Sequence, residues 1–377
     1  MAREGIALVM VEDCEERRNP AIRWLSGQPG DALLFLSAAR HSFLVPWDIN
    51  MAVLHAKGYL RVSDPSLVGP RRGFAEADTL IPYGEFERNP VKALRGAIEC
   101  LKTPKNSRIE IPGTTTYPGF LNYVEEIPDF DIICREDGVW AELEKNRAVK
   151  DEAEITIYRK LAGITDEIIN LLEKHIRARK LQTETDIALF IDSEGRKRGC
   201  EGTGFETLAA GPARSFGIHA FPAYTGEDFG GSGLSILDFG LKYAGYTSDV
   251  TLTFAAPPLT KTQEKMLSLT EKAYNLALSM VKPGVSTRDI GMAVEVFFGQ
   301  SKKVMPHGLG HGVGLQAHEA PSLRNRADNE WVLEPDMIIA IEPGLYDPIH
   351  GGCRLENDIL VTKTGAEVLT GARIIRL

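Results

Sequence analysis

The sequence predicts a two-domain protein of the α/β (α+β) class, divided near Arg147. Three observations carry that expectation. Strand-like apolar runs alternate with helical patterns up to about residue 147, and the charged stretch Glu142 to Glu154 then leads into a long amphipathic pattern. The remainder repeats one helix–turn–helix opening after about a hundred residues. A chain of 377 residues is long enough for two cores.

In the first domain, residues 1–147, Ala32 to Leu36 and Ser42 to Pro46 read as strands because short apolar runs bounded by turn residues suit a buried sheet. Asn89 to Lys102 reads as an amphipathic helix, and Arg108 to Pro112 and Phe130 to Cys134 as further strands. Glycine and proline punctuate the region, as in PGTTTYPG, and no phosphate-binding glycine loop opens a helix.

The second domain, residues 148–377, starts with a helix predicted over Asp151 to Lys180, whose apolar face is Ile155, Tyr158, Leu161, Ile168, Leu171 and Leu172. TETDIALFI follows, with Thr183 and Asp186 spaced as a capping box. A second long helix, Gln263 to Val281, is followed by STRDIGMAV, with Ser286 and Asp289 placed alike. Two pseudo-symmetric halves with a site between them fit this pattern.

The net charge of −9 disfavours a general nucleic-acid groove. The amino terminus lacks the basic start and long apolar stretch of a signal peptide, and no run reaches membrane-spanning length. Five widely spaced cysteines without a C-x-x-C pair suit reduced thiols, and hence a cytoplasmic protein, better than a disulfide framework.

The chemistry concentrates in Asp238, Asp249, His311, Glu342 and Glu356, each within an apolar or glycine-rich stretch. A lone buried charge there is costly, and four carboxylates around one space repel one another unless cations neutralise them. Ile236 to Phe254 reads as a hairpin turning around Lys242 to Gly245. A turn centred between Tyr243 and Ala244 sets Asp238 directly opposite Asp249, close enough to share a metal. Thr251 and Thr253 alternate onto the face of Asp249, positioned to hold its carboxylate. The competing reading is two turn-flanking aspartates on an exposed hairpin.

His307, His311 and His318 fall within twelve residues of a glycine-rich segment. Glycine permits close backbone approach, and imidazole suits zinc, iron, cobalt or manganese, although not all three rings need be ligands. Glu342 and Glu356 are equidistant from Ile349, in a strand–loop–strand pattern that makes them face each other. Arg354 shares the face of Glu356, available for a bidentate brace on a ligating carboxylate or, alternatively, for a buried ion pair with Glu342.

The segments DFG from Asp238, SDVTLTF from Ser248, HGLGHGVGLQAHE from His307, IEPGLY from Ile341 and RLENDILV from Arg354 resemble those of the pita-bread metallopeptidases: prolidase, aminopeptidase P, methionine aminopeptidase and creatinase. The resemblance covers residues 148–377. The first 147 residues are similar in general character to a creatinase-type domain, best along NPAIRWLSGQPGDALLFL, which points to the prolidase and aminopeptidase P branch. The resemblance implies a pita-bread domain and two divalent metal ions, manganese foremost, with cobalt, zinc or iron as alternatives. In the family pattern Asp238 binds one metal, His311 and Glu342 bind the other, and Asp249 and Glu356 bridge. It also implies that Glu342 carries the proton, that His219 and His318 face the substrate and its oxyanion, and that His307 is the extra histidine of the proline-specific branch. Thr251 and Arg354 would support the ligands from behind.

The implied reaction is hydrolysis at the amino terminus of a short peptide with proline second, by a cytoplasmic homodimer. Proline offers no N–H, so its ring shape must be recognised, with Phe216, Phe221 and Tyr224 around His219 as candidates. The departures are Asn357, where prolidases usually carry an acid, Gln316, at a position that is often acidic, and PWDIN (Pro46 to Asn50) in the first domain. A creatinase-like hydrolase of a non-peptide C–N bond and an inactive pita-bread binding module are the alternatives; the complete ligand set argues against both.

Overall fold

The computed structural model describes residues 1, 4–15, 17–48, 53–54, 74–75, 77–135 and 137–377; Ile49 and Asn50 of the PWDIN stretch lie outside them. The chain divides into two compact units, Met1–Glu144 and Lys145–Leu377.

The first unit is built on a six-stranded sheet in the order Thr79–Leu80, Ser42–Pro46, Ala32–Ser37, Ile6–Asp13, Arg108–Ile111, Asp131–Cys134. Ile6–Asp13, legible in the sequence only as an apolar run, is a central strand, antiparallel to Ala32–Ser37 and parallel to Arg108–Ile111. Its lack of polar alternation has a simple cause. Leu8 and Met10 pack into one apolar cluster, Val9 and Val11 into another, so both faces are covered. The helices Pro20–Ser26 and Pro90–Cys100 start alike, with proline after an asparagine whose side chain accepts a backbone N–H of the first turn.

The second unit contains the expected repeat. In the first half the helices Glu152–Arg177 and Glu184–Lys197 lead to a four-stranded sheet ordered Leu208–Ala210, Gly233–Phe239, Val250–Ala256, Ile374–Arg376. In the second half, Lys261–Met280 and Thr287–Gln300 lead to a five-stranded sheet ordered Glu319–Leu323, Gly310–Gly312, Ile338–Ile341, Asn357–Val361, Ala366–Val368. An isolated β-bridge between Thr251 and Glu356 joins the two sheets. The reciprocal capping bonds form at Thr183 and Asp186 but not at Ser286, whose side chain makes no cap bond. Ser286 instead forms a backbone bridge with Val332.

The hairpin register differs from the expected one. Ala244 and Gly245 take positive φ, 52° and 88°, the geometry of a two-residue hairpin turn. Tyr243 therefore pairs with Tyr246, and Asp238 with Thr251 rather than Asp249. The partner moves by two residues, which preserves side-chain parity, so Asp238 and Asp249 remain on one face as diagonal neighbours. The other hairpin keeps the expected symmetry about Ile349. Gly344 pairs with Arg354, and Ile341 with Asn357, so Glu342 and Glu356 occupy facing positions between the two ladders. All five cysteines are free. Among the described residues no helix is long and apolar enough to cross a membrane.

Candidate metal centre

The fold brings Asp238, Asp249, His311, Glu342 and Glu356 together. Oxygens of Asp238, Asp249 and Glu356 lie within 4.8 Å of one another, as do ligating atoms of His311, Glu342 and Glu356. His311 Nε2 is 3.8 Å from Asp249 Oδ2, 3.7 Å from Glu342 Oε1 and 3.9 Å from Glu356 Oε1. Its Nδ1 lies 3.1 Å from the Gly312 carbonyl. A proton held there leaves the Nε2 lone pair facing three carboxylates.

Without a cation the cluster holds its acids in the neutral form. Burial first, then the neighbouring acids, pushes the Asp249 and Glu356 carboxyls far above the usual carboxylate range. Burial raises Glu342 to about 7 and lowers His311 to about 3. Asp238 Oδ1 is buried and has no hydrogen-bond partner among the described residues. Acids favoured in the neutral form, an imidazole lone pair and an orphaned carboxylate oxygen all fit a divalent cation held by oxygen and nitrogen donors.

Arg354, 1 % exposed, organises the ligand candidates from behind. Its Nη2 donates to Asp238 Oδ2 at 2.6 Å, Nε to Thr251 Oγ1 at 3.0 Å, and Nη1 to Tyr346 Oη at 2.8 Å and the Ile218 carbonyl at 3.1 Å. The brace on the ligand is thus a single bond to Asp238, and the alternative pair with Glu342 does not form. Thr251 Oγ1 donates to Glu356 Oε2 at 2.7 Å, not to Asp249 as expected, because the shifted register and the bridge set it beside Glu356. Thr253 is also off Asp249; its hydroxyl donates to the Arg354 carbonyl at 2.8 Å.

His219 and His318 are exposed and line one cavity of ≈ 530 Å³ together with the five ligand candidates. The His318 ring centroid is 4.2 Å from that of His311. His307 lines the same cavity, but both its nitrogens are engaged, Nδ1 at 2.8 Å from the Gly308 carbonyl and Nε2 at 3.0 Å from Tyr346 Oη. Phe221 lines the cavity, while Phe216 and Tyr224 are not among its lining residues.

Sequence reasoning missed Asp358, Tyr346 and Arg324. Asp358 is buried and accepts the Asp249 N–H at 3.1 Å, fixing the backbone of that candidate. It stands two residues after Glu356, so strand alternation carried the signal. Tyr346 links Arg354 to His307, and Arg324 lines the cavity. Asn357 is structural: it donates to the Ala372 carbonyl at 3.1 Å and accepts the Ala372 N–H at 2.7 Å. Gln316 is exposed, and its side-chain Oε1 accepts from Arg147 Nη2 at 3.5 Å.

The sequence model of metallopeptidase family M24 matches residues 156–363. A Xaa-Pro dipeptidase of Pyrococcus furiosus is 30% identical over 307 residues, 78% of this chain and 84% of its own. Among solved structures, a Xaa-Pro dipeptidase from Bacillus anthracis aligns with a TM-score of 0.79 at 24% identity, covering 100% of this chain and 96% of its own. An X-Pro aminopeptidase from Thermotoga maritima aligns with a TM-score of 0.78 at 23% identity, covering 100% and 99%.

Proposed function

The chain belongs to metallopeptidase family M24, its second unit has the pita-bread fold, and from that premise we propose that it hydrolyses the amino-terminal peptide bond of short Xaa-Pro peptides. The observation that carries the reading is the convergence of four carboxylates and the His311 lone pair beside a cavity walled by His219 and His318. The similarity to a Xaa-Pro dipeptidase over most of both chains supports proline in the second position.

We assign two divalent cations to the centre, manganese foremost, as in the family pattern; the ligating atoms fall into three overlapping groups, Asp238–Asp249–Glu356, His311–Glu342–Glu356 and Asp249–His311–His318, more than one ion's worth of donors. Asp238, Asp249, His311, Glu342 and Glu356 would hold them. Bound there, the cations supply Lewis acidity at the scissile carbonyl and a water acidified toward neutrality. The protein's own groups do the rest. Glu342, at the edge of the cluster and lining the cavity, would accept a proton and return it to the leaving nitrogen. His219 and His318 orient the peptide carbonyl and donate to the oxyanion. Arg354 and Thr251 hold Asp238 and Glu356 in place. Phe221 offers an apolar surface to the proline ring. Residues 1–147 form the amino-terminal domain of a cytoplasmic homodimer, and 148–377 the catalytic domain.

The test is hydrolysis of a Xaa-Pro dipeptide and a matched Xaa-Pro-Yaa tripeptide by chelator-stripped protein reloaded with Mn²⁺. Cleavage of the dipeptide alone identifies a dipeptidase, and cleavage of the tripeptide an aminopeptidase. Cleavage of neither by a metal-loaded protein removes the proline specificity.

A further inference from the structure

His219 lies on the segment between Gly211 and Thr225, which forms no regular helix or strand. Exposed aromatics flank it, Phe216 at 44% and Phe221 at 95%. A histidine that must meet a substrate with sub-ångström accuracy is poorly served by such a loop unless the loop is tied at its neck. The tie is Glu184, the first residue of the helix Glu184–Lys197 and 0% exposed. Its Oε1 accepts the Gly211 N–H at 2.8 Å, and its Oε2 accepts the Thr225 N–H and the Thr225 hydroxyl, both at 2.7 Å. One carboxylate thus holds both ends of the loop. Arg214 Nη1, within the loop, is 3.4 Å from Glu184 Oε2, and Arg214 also donates to the Pro222 carbonyl.

The duplication supplies an internal comparison. At the same place in the second half stands Thr287, the first residue of its helix, whose hydroxyl donates to the Trp331 carbonyl at 3.2 Å. In each half the first helical N–H bonds the returning chain, Glu184 to the Glu227 carbonyl and Thr287 to the Trp331 carbonyl. The backbone tie is therefore common to both halves. The buried charge is particular to the half whose loop carries an exposed histidine and two exposed aromatics. At the loop's far side the Ile218 carbonyl, next to His219, accepts from Arg354, so the tip is registered against the residue that holds Asp238.

We infer that Glu184 is a positioning residue for His219: by closing the neck of the 211–225 loop it sets where His219 and Phe221 stand over the metal-ligand cluster. The inference rests on the proposed peptidase reading for its kinetic consequence, but not for its structural one.

Hydrogen-exchange mass spectrometry of the metal-loaded wild type and of Glu184→Gln, which keeps the side-chain shape but removes the charge, reads the structural half. Exchange across 211–225 is expected to rise about tenfold, with bound metal and the other helices unchanged. For the kinetic half, Glu184→Gln lowers kcat on a Xaa-Pro dipeptide by about tenfold or more, yet lowers the residual rate of a His219→Ala protein by less than about twofold, as expected of residues acting through one another. Unchanged loop exchange, or an equal loss in both backgrounds, overturns the inference. Should Glu184→Gln fail to fold, Thr225→Val, which deletes one of the three bonds, is read against the same outcomes with a smaller expected effect. A wild type that cleaves no Xaa-Pro peptide defeats the peptidase reading while the exchange measurement still decides the role of Glu184.

Discussion

Thr251 and Glu356 are joined twice. Their backbones form the bridge between the two halves of the second unit, with the Glu356 N–H donating to the Thr251 carbonyl at 3.1 Å. The Thr251 hydroxyl also donates to Glu356 Oε2 at 2.7 Å and accepts from Arg354 Nε at 3.0 Å. The contact that holds the sheets together therefore also orients a proposed ligand.

Thr251→Val tests that relationship. It leaves a buried carboxylate oxygen and a buried guanidinium N–H without this partner, and costs about 1–3 kcal/mol of unfolding free energy. Metal affinity falls by about ten- to a hundredfold. Thr251→Ser, which keeps the hydroxyl, recovers most of both. Urea titration and metal-binding isotherms of the two variants check the pair of effects.

Asp249→Asn separates folding from catalysis. Asp249 is buried among acids and holds its proton in the metal-free protein, so a neutral asparagine of the same shape costs little there, and the variant unfolds at no lower urea concentration than the wild type. The same change removes a ligand charge, and peptide hydrolysis is abolished. A folded Asp249→Asn protein with wild-type turnover contradicts the assigned centre.

Arg354→Met removes the donor to Asp238, Thr251 and Tyr346 at once. Deleting one partner of a buried ion pair costs about 3–5 kcal/mol, and the loss is expected in the unfolding transition even in excess metal. Lysine cannot reproduce the planar fork, so Arg354→Lys restores the charge but not the turnover.

Metal removal reverses the usual pH dependence of stability. In the metal-free protein Asp249 and Glu356 hold their protons well above the ordinary carboxylate range, and Glu342 to about 7. The unfolded chain releases these protons near pH 4.5, so the folded state binds more protons than the unfolded one above that pH. Stability is then complete below the unfolded value and is lost as pH rises through the folded values. The buried histidines, depressed in the folded state, oppose this below about pH 6.5 and contribute nothing above it, where they are neutral in both states. From pH 7 to 8.5, stability falls by about 1.4 kcal/mol per pH unit for each proton the cluster still holds. Saturating Mn²⁺ suppresses the trend. Urea melts at the two pH values, with chelator and with metal, read the sign directly.

Much of the centre was legible because acids in apolar strands demand partners. Asp238, Asp249, Glu342 and Glu356 announce themselves through the company they keep, and the symmetry about Ile349 is present in the spacing alone. The first hairpin was harder. Only the backbone reveals that Ala244 accepts a positive φ, and that choice shifts the register by two residues and moves Thr251 from Asp249 to Glu356. Long-range partners were beyond reach for a different reason. Arg354 was expected to brace a carboxylate, but that its partners are Asp238 and Ile218, and that Glu184 holds Gly211 and Thr225, follows from tertiary folding that no local pattern encodes. The strand Ile6–Asp13 was read only as an apolar run because it passes straight into Glu12 and Asp13, with no turn residues to bound it there as they bound Ala32 to Leu36.

The most direct test of the central claim is Xaa-Pro dipeptide hydrolysis by chelator-stripped protein, before and after Mn²⁺ is added back, with bound metal counted in the same samples. A metal-dependent peptidase shows no turnover without metal and full recovery once the cluster is filled. Undiminished hydrolysis by protein shown to contain no metal would contradict that claim.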